Sequence, residues 1–155
     1  MRITTSVALA VASGTTLLNN GAVDPLDILQ AYVQFRGRNV WTSNDALRLN
    51  IGRFSFDLGS RRLLARNEFR NTINSFTGLD LSWQRGDTLE VRAFALVPVQ
   101  RLPNDPTELA ANAVVANRET WSTQLWGLAV QRTWPASLRV EAYLLGLHEA
   151  DAPGF

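Results

Sequence analysis

The chain has 155 residues, with 15 basic and 14 acidic side chains and a formal net charge of +1, and every base in it is arginine rather than lysine. That length suits one domain, and the near-neutral balance gives no case for a nucleic-acid partner. Cysteine is absent, which excludes disulfides and thiolate metal sites, and no apolar run approaches the ~18 residues that a membrane helix needs.

Taken in order, the chain reads as short segments that alternate apolar and polar residues, the signature of strands with one greasy and one wet face. Met1 to Ala12 has the outline of a secretory leader with an Ala10-x-Ala12 cleavage site, but Thr4, Thr5 and Ser6 interrupt its apolar stretch. The preferred reading is a strand with Thr5, Val7, Leu9 and Val11 on one face. A polar stretch from Ser13 to Asp27 follows. Leu29, Ala31, Val33 and Phe35 then alternate with Gln30, Tyr32, Gln34 and Arg36. Gly37 to Asp45 is a turn by its Gly, Asn and Asp content. Leu47, Leu49 and Ile51 alternate with Arg48, Asn50 and Gly52. Residues from Asp57 to Ser75 break the pattern and carry Arg61, Arg62, Arg66 and Arg70. Leu79, Leu81 and Trp83 resume it, and Arg85-Gly86-Asp87 turns tightly into Leu89-Glu90-Val91-Arg92-Ala93. A long connection over 100–118 is expected to hold one helical turn around Glu108 to Val115. The strand from Thr120 to Gln131 places Trp126, Leu128 and Val130 on its apolar face. Trp134-Pro135-Ala136 turns into the last strand, Leu138 to Leu144.

The expected fold is therefore all-β: an antiparallel meander of about seven strands. Its connections run long, short, long, short, long, short, at 13–26, 37–45, 54–75, 85–87, 100–118 and 133–137. Transmembrane barrels of the outer membrane show this asymmetry, with short periplasmic turns and long extracellular loops, and turn their greasy face outward to lipid. A small soluble barrel or sandwich that binds a ligand inside would turn it inward.

The stretch 51–79 resembles the alginate export family of Gram-negative outer-membrane barrels. The resemblance rests on Gly52-Arg53, Asp57-Leu58-Gly59, Arg62-Leu63, Phe69-Arg70-Asn71 and Ser75-Phe76-x-Gly78. It is strong over 46–84 and extends to strand pattern elsewhere. Family members more often have Asp where this chain has Thr77, which removes one partner for a lumen arginine. Barrels of that family are larger, so the whole of 1–155 is expected to be part of one barrel domain whose beginning and end are missing: a truncated gene product, or one piece of a split barrel. The resemblance implies an outer-membrane location, contact with lipid, and passive passage of an anionic polysaccharide or a smaller acidic solute through an arginine-lined pore.

Arginine suits that task, because its planar fork grips a carboxylate in two places, while several weak sites in series let a passing ligand go. GC-rich coding would also produce an all-arginine cation set. The pore-lining candidates are Arg48, Arg53, Arg61, Arg62, Arg66, Arg70, Asp80, Glu90, Arg92, Arg139 and Glu141. Asp57, Glu68 and Asp80 are expected to pair with Arg53, Arg62 or Arg70. Glu90 with Arg92, and Arg139 with Glu141, are read first as structural cross-strand partners. Trp41, Trp83, Trp121, Trp126 and Trp134 fit an aromatic girdle. His148 stands alone, no glycine-rich phosphate loop occurs and no carboxylate pair marks a glycosidase. No enzyme, metal or cofactor is expected.

Overall fold

The computed structural model describes residues 2–10, 27–59, 74–103, 105–111, 113–135 and 138–150. They form one antiparallel sheet: β1 (Arg2–Ala10), β2 (Asp27–Arg38), β3 (Asp45–Phe54), β4 (Phe76–Arg85), β5 (Leu89–Gln100), β7 (Thr123–Thr133) and β8 (Arg139–Glu149), each paired with the next. The helix α1 (Pro106–Ala110) and a two-residue strand β6 (Arg118–Glu119) lie in the connection between β5 and β7, and β6 pairs with the end of β5. β1 and β8 stand at opposite edges, so the sheet is open. The seven long strands have 9 to 12 residues, close to the ~9–11 that cross a bilayer at a tilt. Two details differ from expectation. The helix begins at Pro106, two residues before Glu108, because Asp105 caps its start through the Thr107 and Glu108 amides, and it ends at Ala110 instead of running to Val115. β6 was not anticipated, since two residues carry no periodicity.

Short connections gather at one end of the sheet: 39–44, 86–88 and 134–138. Asn39 and Gly86 adopt positive φ there, as tight turns require. The Asp45 carboxylate fixes the first turn by accepting the amides of Val40 at 2.6 Å and of Trp41 and Thr42 at 3.0 Å. The Trp83 indole also donates to it at 3.1 Å.

The register separates two faces. On one stand Ile51, Leu79, Leu81, Trp126, Leu128, Val140 and Leu144. All of them are exposed, Leu144 by 61% and Trp126 by 50%. This bare face is greasy. The opposite face carries the polar residues Gln34, Asn50, Asp80 and Ser82, yet these are buried, Asp80 being only 1% exposed. Greasy outside and polar inside is the inversion that distinguishes a barrel wall in lipid from a soluble sandwich.

What covers the polar face is the chain itself. After β3, the segment Ser55–Gly59 turns back across the sheet. Phe56 and Leu58 are almost fully buried and form a cluster with Phe54, Phe94, Leu96 and Ala129, edged by Tyr32, Phe76, Leu125 and Tyr143. Phe56 packs against Phe94 at a 55° tilt with ring centroids 4.7 Å apart, and meets Phe76 edge-on at 6.3 Å. Burying one such ring contributes about 1.5–3 kcal/mol. Gly59, at φ +51°, ends the described part of the segment. A side chain there would strike the Tyr143 hydroxyl, 2.0 Å from an added Cβ, so only glycine lets the backbone lie against β8.

Candidate functional site

The polar side chains of the covered face are linked strand to strand. Gln34 on β2 donates to Asn50 on β3 at 2.6 Å, and Asn50 donates to Asp80 on β4 at 3.0 Å. Arg92 on β5 reaches the same carboxylate with two donors, Nε to Oδ1 at 2.6 Å and Nη2 to Oδ2 at 3.0 Å. The fork-to-fork match is the strong form of an ion pair. The remaining Arg92 nitrogen, Nη1, donates to the Asp57 carbonyl, and the guanidinium lies 4.2 Å above the Phe56 ring. Arg92 thereby rivets the covering segment to the sheet. At the other end of the chain of bonds, the Arg36 Nε donates to Gln34.

Between Ser55–Gly59 and strands β5, β7 and β8 lies a cavity of about 170 Å³, lined by Asp57, Leu58, Gly59, Glu90, Arg92, Gln131, Arg139, Glu141 and Tyr143, with Ala129 and Val130 behind. Arg139 pairs with Glu141 at 2.8 Å and also donates to Gln131. The Tyr143 hydroxyl donates to Glu141. Three acids face two bases here, so the cavity is a mixed polar pocket, not a purely cationic one.

The structure brings together five of the candidates read from the sequence: Asp80, Glu90, Arg92, Arg139 and Glu141. Arg48 is on the same face, opposite Arg36 and Ser82. Arg61, Arg62, Arg66 and Arg70, with Glu68, lie outside the described residues. Arg53 is a correction: it stands opposite Ala31 and Thr77, on the face of Ile51. Its Nη2 bonds Glu119 of β6 at 2.7 Å, and Thr77 donates to the same carboxylate at 2.9 Å. For Asp80 and Arg53 the expected pairing is corrected with it, because Asp80 holds Arg92 while Arg53 holds Glu119. Arg53 and Thr77 hold the Glu119 carboxyl below the ordinary glutamate range. The Arg53 hydrogen bond is the largest effect, and burial opposes it.

Two groups escaped the sequence reading. Arg36 and Arg38 share the covered face with Gln34, and Arg2 faces Arg36 across β1. The signal was available in part, since Gln30, Tyr32, Gln34 and Arg36 form the polar stripe of β2. Phe56 and Leu58 continue the alternation of β3 past its last residue, on the stripe that Phe54 begins.

Against known proteins, a family model described as alginate export matches residues 2–152. No curated protein and no solved structure matches the chain.

Proposed function

The chain belongs to the alginate export family, matched across residues 2–152, and from that starting point we propose that its sheet is one wall of an outer-membrane barrel through which an anionic polysaccharide, or a smaller acidic solute, passes passively. The observation that carries this reading is the inverted sheet, with exposed Leu79, Leu81, Leu128 and Leu144 on one face and buried Gln34, Asn50, Asp80 and Ser82 on the other. Hydrocarbon suits the first face and a hydrated passage the second. The segment Ser55–Gly59 narrows that passage, and the cavity beside Arg139 lies along it.

An open edge inside lipid leaves backbone groups unpaired at several kcal/mol each, so the wall needs further strands to close it. In this reading the 155 residues form part of a single barrel domain, and the isolated chain conducts no ions in a planar bilayer. A conducting isolated chain would refute that incompleteness.

The orientation has its own test. The chain holds no cysteine, so single-cysteine variants report cleanly. In vesicles, Leu79→Cys and Leu144→Cys are expected to react only with a membrane-soluble maleimide, and Ser82→Cys with a small water-soluble one once Arg92→Met has loosened the covering segment. Rapid reaction of the two leucine positions with the water-soluble reagent would point instead to a soluble ligand-binding protein and end the transport reading.

A further inference from the structure

On the bare face, the charges of β3, β4, β5, β7 and β8 are confined to two margins. The three rows between them carry no charge, and the middle one reads Leu49, Leu81, Ala93, Leu128 and Leu144 from strand to strand. The margin at the short-turn end reads Asp45, Arg85, Leu89, Arg132 and Val140. The far margin holds Arg53 opposite Thr77, and Gln124 opposite His148. Eight residues of β4 separate Arg85 from Thr77, which is ~27 Å along a strand. At a tilt of ~40° that is ~21 Å in height, of the order of the ~25 Å apolar band of a membrane barrel. The margins thus fall where hydrocarbon gives way to headgroups.

The two margins answer their positive charge differently. Arg53 is paired with Glu119 at 2.7 Å. Arg85 and Arg132 have no carboxylate partner among the described residues, and both are exposed. Asp45 stands directly opposite Arg85 but commits its carboxylate to the Val40–Thr42 amides and the Trp83 indole. Asp87, in the next turn, lines a hollow with Arg38 and Gln84 of the covered face. Arg85 and Arg132 flank Leu89, two strand spacings or ~10 Å apart, within reach of a common group for two such long side chains. The Arg132 guanidinium lies 4.9 Å above the Trp134 ring. That contact seats the flat face of the fork and leaves its N–H edge for an acceptor. A cation on a lipid-facing wall costs least at headgroup depth, and phosphate is the counter-charge found there.

We propose that Arg85 and Arg132, with Leu89 between them, bind the headgroup phosphate of an anionic phospholipid in the leaflet beside the short turns. The proposal rests on reading the bare face as the lipid face. Two guanidiniums favour a headgroup without a cation of its own, because the ammonium of a zwitterionic lipid is repelled by whichever fork does not hold the phosphate. Leu89, Val140 and the apolar rows behind them give the acyl chains a surface to lie on. A free phosphate ion gains nothing from that surface, so the site selects the lipid over the ion.

The test uses the full chain in a non-ionic detergent at low salt, titrated with phosphatidylglycerol and with phosphatidylcholine of the same acyl chains, and followed by native mass spectrometry. The anionic lipid is expected to bind saturably and about tenfold more tightly than the zwitterionic one. Arg85→Gln with Arg132→Gln is expected to abolish that preference and the corresponding Lys pair to restore most of it. Arg118→Gln, which removes an exposed charge at the opposite end of the sheet, is expected to leave it unchanged. A preference that survives in the Gln pair, or equal loss in Arg118→Gln, would overturn the site. Displacement of the lipid by equimolar inorganic phosphate would overturn it too, in favour of a free anion. An absent preference, with Leu79→Cys and Leu144→Cys still shielded from the water-soluble maleimide, would remove the site and keep the barrel wall. A preference that follows Arg85 and Arg132 while those cysteines react with that reagent would keep the headgroup site and end the transport reading.

Discussion

Arg92 engages all three of its guanidinium nitrogens with the fold. Two go to Asp80, one to the Asp57 carbonyl, and the flat face of the group covers the Phe56 ring. A guanidinium committed in this way positions the covering segment and has little left to offer a passing anion. Replacing it by Met keeps the stem but strands Asp80, which is 1% exposed. Removing one partner of a buried pair costs about 3–5 kcal/mol, whereas replacing both by apolar groups is often near neutral. Arg92→Met is therefore expected to lower the urea midpoint in detergent, followed by tryptophan fluorescence, by an amount near the bottom of that range, since Asn50 still donates to Asp80. Adding Asp80→Leu to it should recover more than half of the loss. An unchanged midpoint in the single variant would show that the rivet holds nothing.

Strands β1 to β5, β7 and β8 were legible because alternation is a local property. Leu89 to Ala93, Leu47 to Ile51 and Leu138 to Leu144 each declare their two faces without reference to a neighbour. Register is not local, and that is why the row formed by Arg2, Arg36 and Arg48 was invisible: which residue of β1 faces which residue of β2 depends on where the long connection returns the chain. Arg53 is the opposite case. It shares the stripe of Leu49 and Ile51, so its face was readable from parity, and only the motif Gly52-Arg53 suggested the lumen. Its bond to Glu119 ties the connection carrying α1 and β6 to the sheet. Because the folded carboxyl is held below its ordinary value near 4.5, the stability this tie supplies is complete above about pH 4.5 and fades as the pH falls through the lower folded value. Glu119→Gln is expected to cost under about 1 kcal/mol at pH 7, the usual worth of a part-exposed ion pair, and progressively less as the pH falls below about 4.5. A difference between variant and parent that grows as the pH falls through the acid range would contradict the assignment.

For the molecule as a whole, the tryptophans mark levels. Trp41, Trp83 and Trp134 gather at the short-turn end, where Trp41 and Trp83 meet edge-on at 6.0 Å and Arg132 lies 4.9 Å above Trp134. Trp121 sits at the other end, just before β7, and Trp126 lies inside β7 on the bare face. Indoles at both rims of a greasy band are the expected girdle of a membrane barrel. In single-tryptophan variants reconstituted in lipids brominated deep in the acyl chain, Trp126 should be quenched most, and Trp41, Trp121 and Trp134 least. Quenching of Trp126 below that of the rim positions would rule out the bilayer placement.

The meander also fixes an arithmetic that any closure must respect. Each pairing reverses direction, and six reversals separate β1 from β8, so the two free margins point the same way. A ring with antiparallel seams throughout must consequently recruit an odd number of additional crossings. Two like-oriented copies of this wall could join only by accepting parallel seams.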